Sequence, residues 1–229
     1  VIGLGIDTAG AVLAVTLRTG SGDYSLNVDG ATRSDQLLPL IDHLSGIAGI
    51  RGDEIGLVAA GRGPGSFTGL RVGLALAQGL AAALGIPLMT EPTLACMADA
   101  YAWWPGTVVP VLDAKKGRWY AAAFRAGKRC QDDSDLELPA LAALLPPDLP
   151  VLVCGPDADR AREGLAAGSA VPPIYAAVDR DGASGRILTR ALARHAAGSV
   201  GSADEAIPHY LRYSEADLGI HPKNRGGAT

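Results

Sequence analysis

The stretch IGLGIDTAGAVLAVTL, residues 2–17, sets the architecture when laid beside VVPVLDAKKGRWYAAAF, residues 108–124. Each is an apolar strand, an Asp, a short turn and a returning strand. The turn is one residue longer in the second copy. The matched pattern predicts two lobes of related topology, with Asp7 and Asp113 facing a shared cleft. A hairpin turn also favours Asp for local reasons, because its carboxylate bonds to nearby backbone N–H groups.

Working outward, residues 1–6, 12–17 and 24–28 read as an antiparallel meander, rich in β-branched and apolar residues. Residues 35–48 read as a helix, with Leu37, Leu40, Ile41, Leu44 and Ile47 on one face. Ser34 or Asp35 is placed to cap it. A strand at 55–60, a helix after it, a strand at 87–90 and a helix at 93–101 complete an α/β lobe. Residues 103–106, WWPG, break the chain, which divides into a first lobe over 1–104 and a second over 105–229. In the second lobe, strands are expected at 108–112, 118–124 and 151–153. Helices are expected at 138–145, after 154–158 and at 185–197. Residues 206–213 read as extended and 221–229 as a loose terminus.

Composition limits the function. With 48% hydrophobic and 19% charged residues, the chain supports a packed core. Its net charge of −4 and scattered Lys and Arg disfavour a protein that grips a nucleic-acid backbone alone. The small basic cluster Lys115, Lys116 and Arg118 reads as a solvated face. Cys96, Cys130 and Cys154 lack CxxC spacing and read as reduced thiols of a cytoplasmic protein. No signal peptide is evident, and the apolar run 70–84 is short for a bilayer. The four histidines lack metal-ligand spacing, and neither a Ser/His/Asp arrangement nor a GxSxG elbow is present, so no catalytic residue and no metal site are assigned.

The segment GRGPGSFTGLRVGLALAQGL, residues 61–80, starts as a glycine-rich turn and ends as an apolar helix. It lacks the Lys of a P-loop and the spacing of the dinucleotide fingerprint. Gly69, Gly73 and Gly79 each cost about 1 kcal/mol against Ala inside a helix. That cost favours tight packing over anion binding as the purpose of the segment. Asp7 with Thr8 has the form of a phosphate hairpin, but no Lys or Arg follows in the turn, so a structural turn Asp is favoured.

The segment 61–81 resembles the hallmark of the TsaB family of tRNA threonylcarbamoyladenosine biosynthesis proteins, formerly called YeaZ and grouped with glycoproteases. The resemblance continues through LGIDTAG at 4–10, LLPLID at 37–42, PVLDAKKGRWYAAAF at 110–124 and PHYLR at 208–212. It implies an actin-like, Hsp70-like and sugar-kinase-like fold with duplicated ribonuclease-H-like lobes, the second reduced. It implies a non-catalytic scaffold for threonylcarbamoylation of adenosine 37 in tRNAs reading ANN codons. Its partners would be a TsaD-like paralogue carrying the transfer chemistry and a TsaE-like ATPase, with a homodimer in isolation. Transfer RNA would be reached only through the complex, with no membrane and no cofactor beyond ATP or ADP at the level of the assembly. The HxxxH metal motif of the TsaD-like partner is absent from the chain, as it is from TsaB proteins.

On that resemblance the docking face would use Leu37, Leu40, Ile41, Leu44, Phe67, Leu70, Arg71, Gly73, Leu74, Ala77 and Leu80. Asp7, Thr8 and Asp113 would mark a vestigial nucleotide cleft. Two departures stand out: Arg33, Ser34 and Asp35 replace the HSE common in the family, and CGPDA at 154–158 replaces GDGA. The competing reading is an independent enzyme, a nucleotide-dependent phosphotransferase or a glycoprotease-type peptidase, working with Asp7 and Asp113. A third is a direct tRNA-binding module, which the acidic balance disfavours.

Overall fold

A computed structural model describes residues 1–29, 36–143, 145–166, 174–179, 181–201 and 206–211. In the first sheet, β1 (Gly3–Asp7), β2 (Val12–Thr19) and β3 (Gly22–Asp29) form an antiparallel meander. Strand β4 (Leu57–Gly61) lies parallel to β1, and β5 (Leu88–Glu91) parallel to β4, giving the order β3-β2-β1-β4-β5. The second sheet repeats this plan with β6 (Thr107–Asp113), β7 (Arg118–Arg125), β8 (Lys128–Glu137), β9 (Val151–Gly155) and β10 (Ile174–Val178). Its order, β10-β9-β6-β7-β8, is the first order written backwards, with β9 parallel to β6 and β10 parallel to β9. The fold is thus α/β with two duplicated lobes, as the paired hairpins predict.

Two strands were not legible in the sequence. Strand β8 carries Lys, Arg, three Asp and a Glu, because it is a half-exposed edge where charge is tolerated. Strand β10 is short and alanine-rich, with no clean alternation.

Among the described residues six α-helices join the strands: α1 (Leu37–Ala48), α2 (Phe67–Leu84), α3 (Thr93–Asp99), α4 (Leu138–Ala143), α5 (Ala158–Ala166) and α6 (Ser184–Ala196). The residue before α1 is Gln36, with no side-chain cap bond; the expected caps Ser34 and Asp35 lie outside the described residues, as does the tail at 221–229. Helix α1 stops at Gly49 and α2 at Gly85, both in the left-handed conformation that ends a helix without Cβ strain. At 18 residues α2 is the one described helix long and apolar enough to cross a membrane by length and composition, longer than the run at 70–84 suggested. Here its inner face is buried against β1, β4 and β5.

The core is layered. Leu4, Ile6, Leu13 and Val15 point outward from the first sheet to α1 and α2. Val109, Val111 and Ala121 point outward from the second sheet to α4 and α5. Between the sheets lie α3 and α6, and here the chain crosses over. Helix α3 follows the first sheet but packs on β6, β7 and β9; α6 follows the second sheet but packs on β1, β2, β4 and β5. Glycines permit the approach. A Cβ on Gly3 would lie 2.7 Å from Cδ1 of Leu188, and one on Gly5 would lie 2.9 Å from Leu188 Cβ and collide with the Ser184 carbonyl oxygen.

Candidate functional site

The glycine-rich segment 61–81 wraps the β1–β2 corner. Ser66 caps α2 by accepting the Gly69 N–H at 3.3 Å, and its own N–H donates to the Ala9 carbonyl at 2.7 Å. Gly65, Gly69 and Gly73 then form a groove that the corner fills. A Cβ at Gly65 would lie 2.7 Å from Ala9 Cβ, one at Gly69 would strike the Thr8 carbonyl oxygen, and one at Gly73 would strike the Thr8 hydroxyl. The helical glycines at 69 and 73 are therefore packing glycines, as their cost suggests, but the partner is the chain's own hairpin. Gly79 differs: it is exposed, and a Cβ there would find nothing within 4 Å.

This docking fixes Asp7. Its Oδ1 accepts the Ala9 N–H at 3.0 Å, and its Oδ2 accepts the Ala183 N–H at 2.8 Å, at the start of α6. Burial pushes the Asp7 carboxyl up, the two N–H donors partly oppose this, and Asp179 adds to the rise. Thr8, which has the form of a phosphate-hairpin hydroxyl, is buried with its side chain against Gly73.

Asp113, at the matching corner, has a different environment. It accepts the Lys115 N–H at 2.7 Å and the Lys115 ammonium at 3.0 Å, and pairs with Arg160 at 2.8 Å. Burial pushes its carboxyl up, but Arg160 and Lys115 together outweigh that and hold it below the usual carboxylate value. The space between the lobes is lined by Asp7, Val12, Met97, Tyr101, Leu112 and Asp179 among others, and Asp113 does not line it. Its volume is about 20 Å³, room for a water molecule and far below the several hundred Å³ of a ligand pocket. The expectation that both aspartates face one cleft is corrected for Asp113: it follows Val109 and Val111 on the outward face of β6, toward Arg160 of α5, whereas Asp7 follows Gly3 and Gly5 on the inward face of β1.

A carboxylate not singled out from the sequence anchors the crossover. Glu91, 1% exposed at the end of β5, receives Arg190 Nε at 3.2 Å and an Arg194 nitrogen at 2.9 Å, both from α6. Arg190 also pairs with Asp99 of α3 at 2.8 Å. Nothing local in the sequence marks this site, since its partners lie about a hundred positions away.

The carboxy-terminal segment 206–211 returns to α2. Ala206 enters the core beneath α1 and α2, and the His209 N–H donates to the Arg62 carbonyl at 2.7 Å. The Tyr210 ring lies 5.0 Å from that of Phe67, and its hydroxyl accepts Arg71 Nε at 2.9 Å. The Arg71 guanidinium also stacks 3.7 Å from the centre of the Phe67 ring.

These contacts redraw the expected docking face. Leu37, Ile41, Leu44, Leu70, Gly73, Leu74 and Ala77 are buried in the chain's own core and are not available to a partner. Leu40, Phe67 and Leu80 are half-buried, and Arg71 is exposed but bonded to Tyr210. The surfaces left open are the outer side of α1, where Leu38 is 54% and Ile47 55% exposed, and Ala75, Gly79, Ala82 and Ala83 along α2. Ile47 and Leu40 sit at the margin of the buried helical stripe, which apolar spacing alone does not separate from its centre. Among the described residues no group of three or more His, Cys, Asp or Glu is placed to hold a metal ion.

Comparison with known proteins adds to this geometry. A family model described as TsaD, tRNA N6-adenosine threonylcarbamoyltransferase, matches residues 31–145. The tRNA threonylcarbamoyladenosine biosynthesis protein TsaB of Escherichia coli is 33% identical over 126 residues, covering 53% of this chain and 54% of that protein. The TsaB protein of Haemophilus influenzae is 36% identical over 98 residues, covering 42% of each. The chain thus spans about half the length of the curated relatives it matches. A Pseudomonas aeruginosa crystal structure, described as an uncharacterized protein with similarity to peptidase YeaZ, superposes with a TM-score of 0.76 at 25% identity, over 92% of this chain and 99% of that one. A Bacteroides thetaiotaomicron protein with an actin-like ATPase fold superposes with a TM-score of 0.51 at 7% identity, over 82% of this chain and 95% of that one, a likeness of fold alone.

Proposed function

We propose, on the premise that the chain belongs to the family of the tRNA N6-adenosine threonylcarbamoyltransferase TsaD and resembles its TsaB/YeaZ members, that it is a non-catalytic scaffold for threonylcarbamoylation of adenosine 37 in tRNAs reading ANN codons. The observation that carries the reading is the commitment of Asp7. In an actin-like fold this corner is where a carboxylate would orient a metal-bound phosphate. Here both carboxylate oxygens accept backbone N–H groups, Thr8 is turned into α2, and the space beside them has room for about a water molecule. The corner works as a joint between lobes.

The partners in this reading are a TsaD-like paralogue that performs the transfer and a TsaE-like ATPase. The setting is cytoplasmic, and tRNA is held by the complex. ATP or ADP enters at the level of the assembly, with no cofactor held by this chain. The docking surface is the open side of α1 and α2, with Leu38, Ile47 and Gly79, and the same surface closes a homodimer in isolation. The buried leucines behind it keep the two helices in place.

The test is binding to the TsaD-like subunit of the same source, measured calorimetrically with Leu38→Glu and Ile47→Glu variants that retain the unaltered melting profile. Weakening of at least about ten-fold, a loss of about 1.4 kcal/mol, is expected. Unchanged binding would remove the docking surface. Hydrolysis of Mg-ATP by the isolated chain, lost in Asp7→Asn, would remove the non-catalytic assignment.

A further inference from the structure

The four outermost strands of the two sheets differ in how their free edges are protected. An unguarded edge offers unpaired N–H and C=O groups to any extended backbone, so soluble proteins blunt it with charge or cover it. Strand β3 carries Asp23 and Asp29, and β8 carries Lys128, Arg129, Asp132, Asp133, Asp135 and Glu137. Strand β5 is crossed by Gly201, so close that a Cβ there would lie 2.5 Å from Met89 Sδ. Strand β10, with sequence IYAAV, has none of these guards among the described residues: it holds no charge and pairs only with β9.

Its surroundings are apolar as well. Tyr175 is 51% and Val178 37% exposed. Trp104 packs edge-on against Tyr175 with centroids 5.3 Å apart, and Trp103, 71% exposed, packs on Trp104 at 6.0 Å. Large exposed aromatic rings next to an open strand edge are the composition of an interface core, where Trp and Tyr act as anchors.

We propose that β10 pairs antiparallel with β10 of a second copy of this chain, about a two-fold axis through Ala176, joining two five-stranded sheets into one of ten. The register follows from the faces of the strand. Ile174 and Ala176 face α5, while Ala177 and Tyr175 face the α3 side with Trp104. A two-fold axis normal to the sheet keeps each face on its own side, which allows only pairings whose residue numbers have an even sum. Centring on Ala176 places Tyr175 opposite Ala177 of the partner subunit and Ile174 opposite Val178 of the partner subunit. Tyr175 then meets a small partner and Ile174 one of similar size, the two Ala176 side chains meet at the axis, and no like charges are in contact. The aromatic cluster of each copy flanks the seam and supplies burial beyond the backbone bonds. The contact lies on the second sheet, away from α1 and α2, and does not depend on the scaffold reading.

The test uses the full chain with Cys130→Ser, since Cys96 and Cys154 are buried. In this background Ala176→Cys meets its own copy across the axis, at the roughly 4.5–5.5 Å Cα separation of an antiparallel pair, which suits a disulfide. Mild oxidation is expected to give a covalent dimer at least about ten times faster than for Tyr175→Cys, whose copies are set further apart. With the α1 surface removed by Ile47→Glu, Val178→Asp is expected to reduce the dimer fraction that remains in sedimentation by at least about ten-fold, and Ile47→Glu alone to leave the Ala176→Cys cross-link intact. Equal cross-linking at 175 and 176 would overturn the pairing. So would a dimer abolished by Ile47→Glu with no cross-link at 176, which would leave the scaffold reading standing. A monomer whose 174–178 amides exchange slowly until residues 212–229 are deleted would also overturn it, by showing the edge covered from within.

Discussion

Thr8 lies in the groove that Gly73 opens in α2, so close that a Cβ at residue 73 would sit 2.9 Å from the Thr8 methyl carbon and strike its hydroxyl. The two residues set the position of the corner that carries Asp7. Gly73→Ala is therefore expected to destabilise the fold by about 1–3 kcal/mol, the usual cost of overpacking a tight contact. Gly79→Ala adds its methyl to open space and is expected to stabilise the isolated chain by about 1 kcal/mol through helix propensity. Urea midpoints of the two variants check both signs. Similar shifts would mean that the groove is not a constraint.

The corner aspartates predict opposite pH dependence. Burial raises the Asp7 carboxyl above the ordinary carboxylate value, so the folded state binds its proton more tightly than the unfolded chain does. The contribution of Asp7 is thus greatest in acid and declines as pH rises from the unfolded value through the folded one. Asp113 is lowered, so its contribution is present above the unfolded value and lost as pH falls through the folded one. Stability measured against pH for Asp7→Asn and Asp113→Asn should diverge from the parent curve in opposite senses below neutrality. Curves parallel to the parent would contradict both assignments.

Glu91 predicts a directional loss. Glu91→Ala leaves Arg190 and Arg194 without the carboxylate they share; both arginines are over a third exposed, at 37% and 43%, so water takes up part of the loss and about 1–3 kcal/mol is expected. Arg190 keeps Asp99, so Arg190→Ala combined with Glu91→Ala should cost less than the sum of the single changes. A double-mutant cycle by chemical denaturation measures the coupling; strict additivity would remove the clamp.

Tyr210 holds the carboxy-terminal segment against Phe67 and Arg71. Tyr210→Phe removes the bond from Arg71 and is expected to cost about 1 kcal/mol. Tyr210→Ala also removes the ring contact and should expose residues 206–211 to limited proteolysis. Unchanged cleavage kinetics in the Ala variant would show that the segment is held by other contacts.

The duplicated lobes were legible because hairpin pattern, corner Asp and apolar strands are local and recur at 2–17 and 108–124. The fold beyond them was legible only in part. Charged β8 and alanine-rich β10 carry edge chemistry, which overrides the alternation that a half-buried strand would show. The cost of Gly69 and Gly73 was readable, but the residue they accommodate, Thr8, becomes a neighbour only through the parallel pairing of β1 with β4. For the docking helices, periodicity identified the apolar stripe and with it the residues spent on the core. The exposed Leu38 and Ile47 flank that stripe, and only the packed structure distinguishes them. Glu91 was silent because its cationic partners come from the far end of the chain.

The crossover of α3 and α6 bears on how the chain is made. The strands of the first sheet are complete at Glu91, yet the helix that covers their inner face begins at Ser184. On a ribosome that interval lasts on the order of ten seconds, during which Gly3, Gly5 and the apolar floor around them lack their cover. Newly synthesised amino-terminal halves are therefore expected to engage holding chaperones, and a fragment of residues 1–104 to precipitate when expressed alone. Supplying residues 105–229 from a second message should recover soluble material; a soluble, cooperatively melting 1–104 fragment would show instead that the first sheet matures without its last helix.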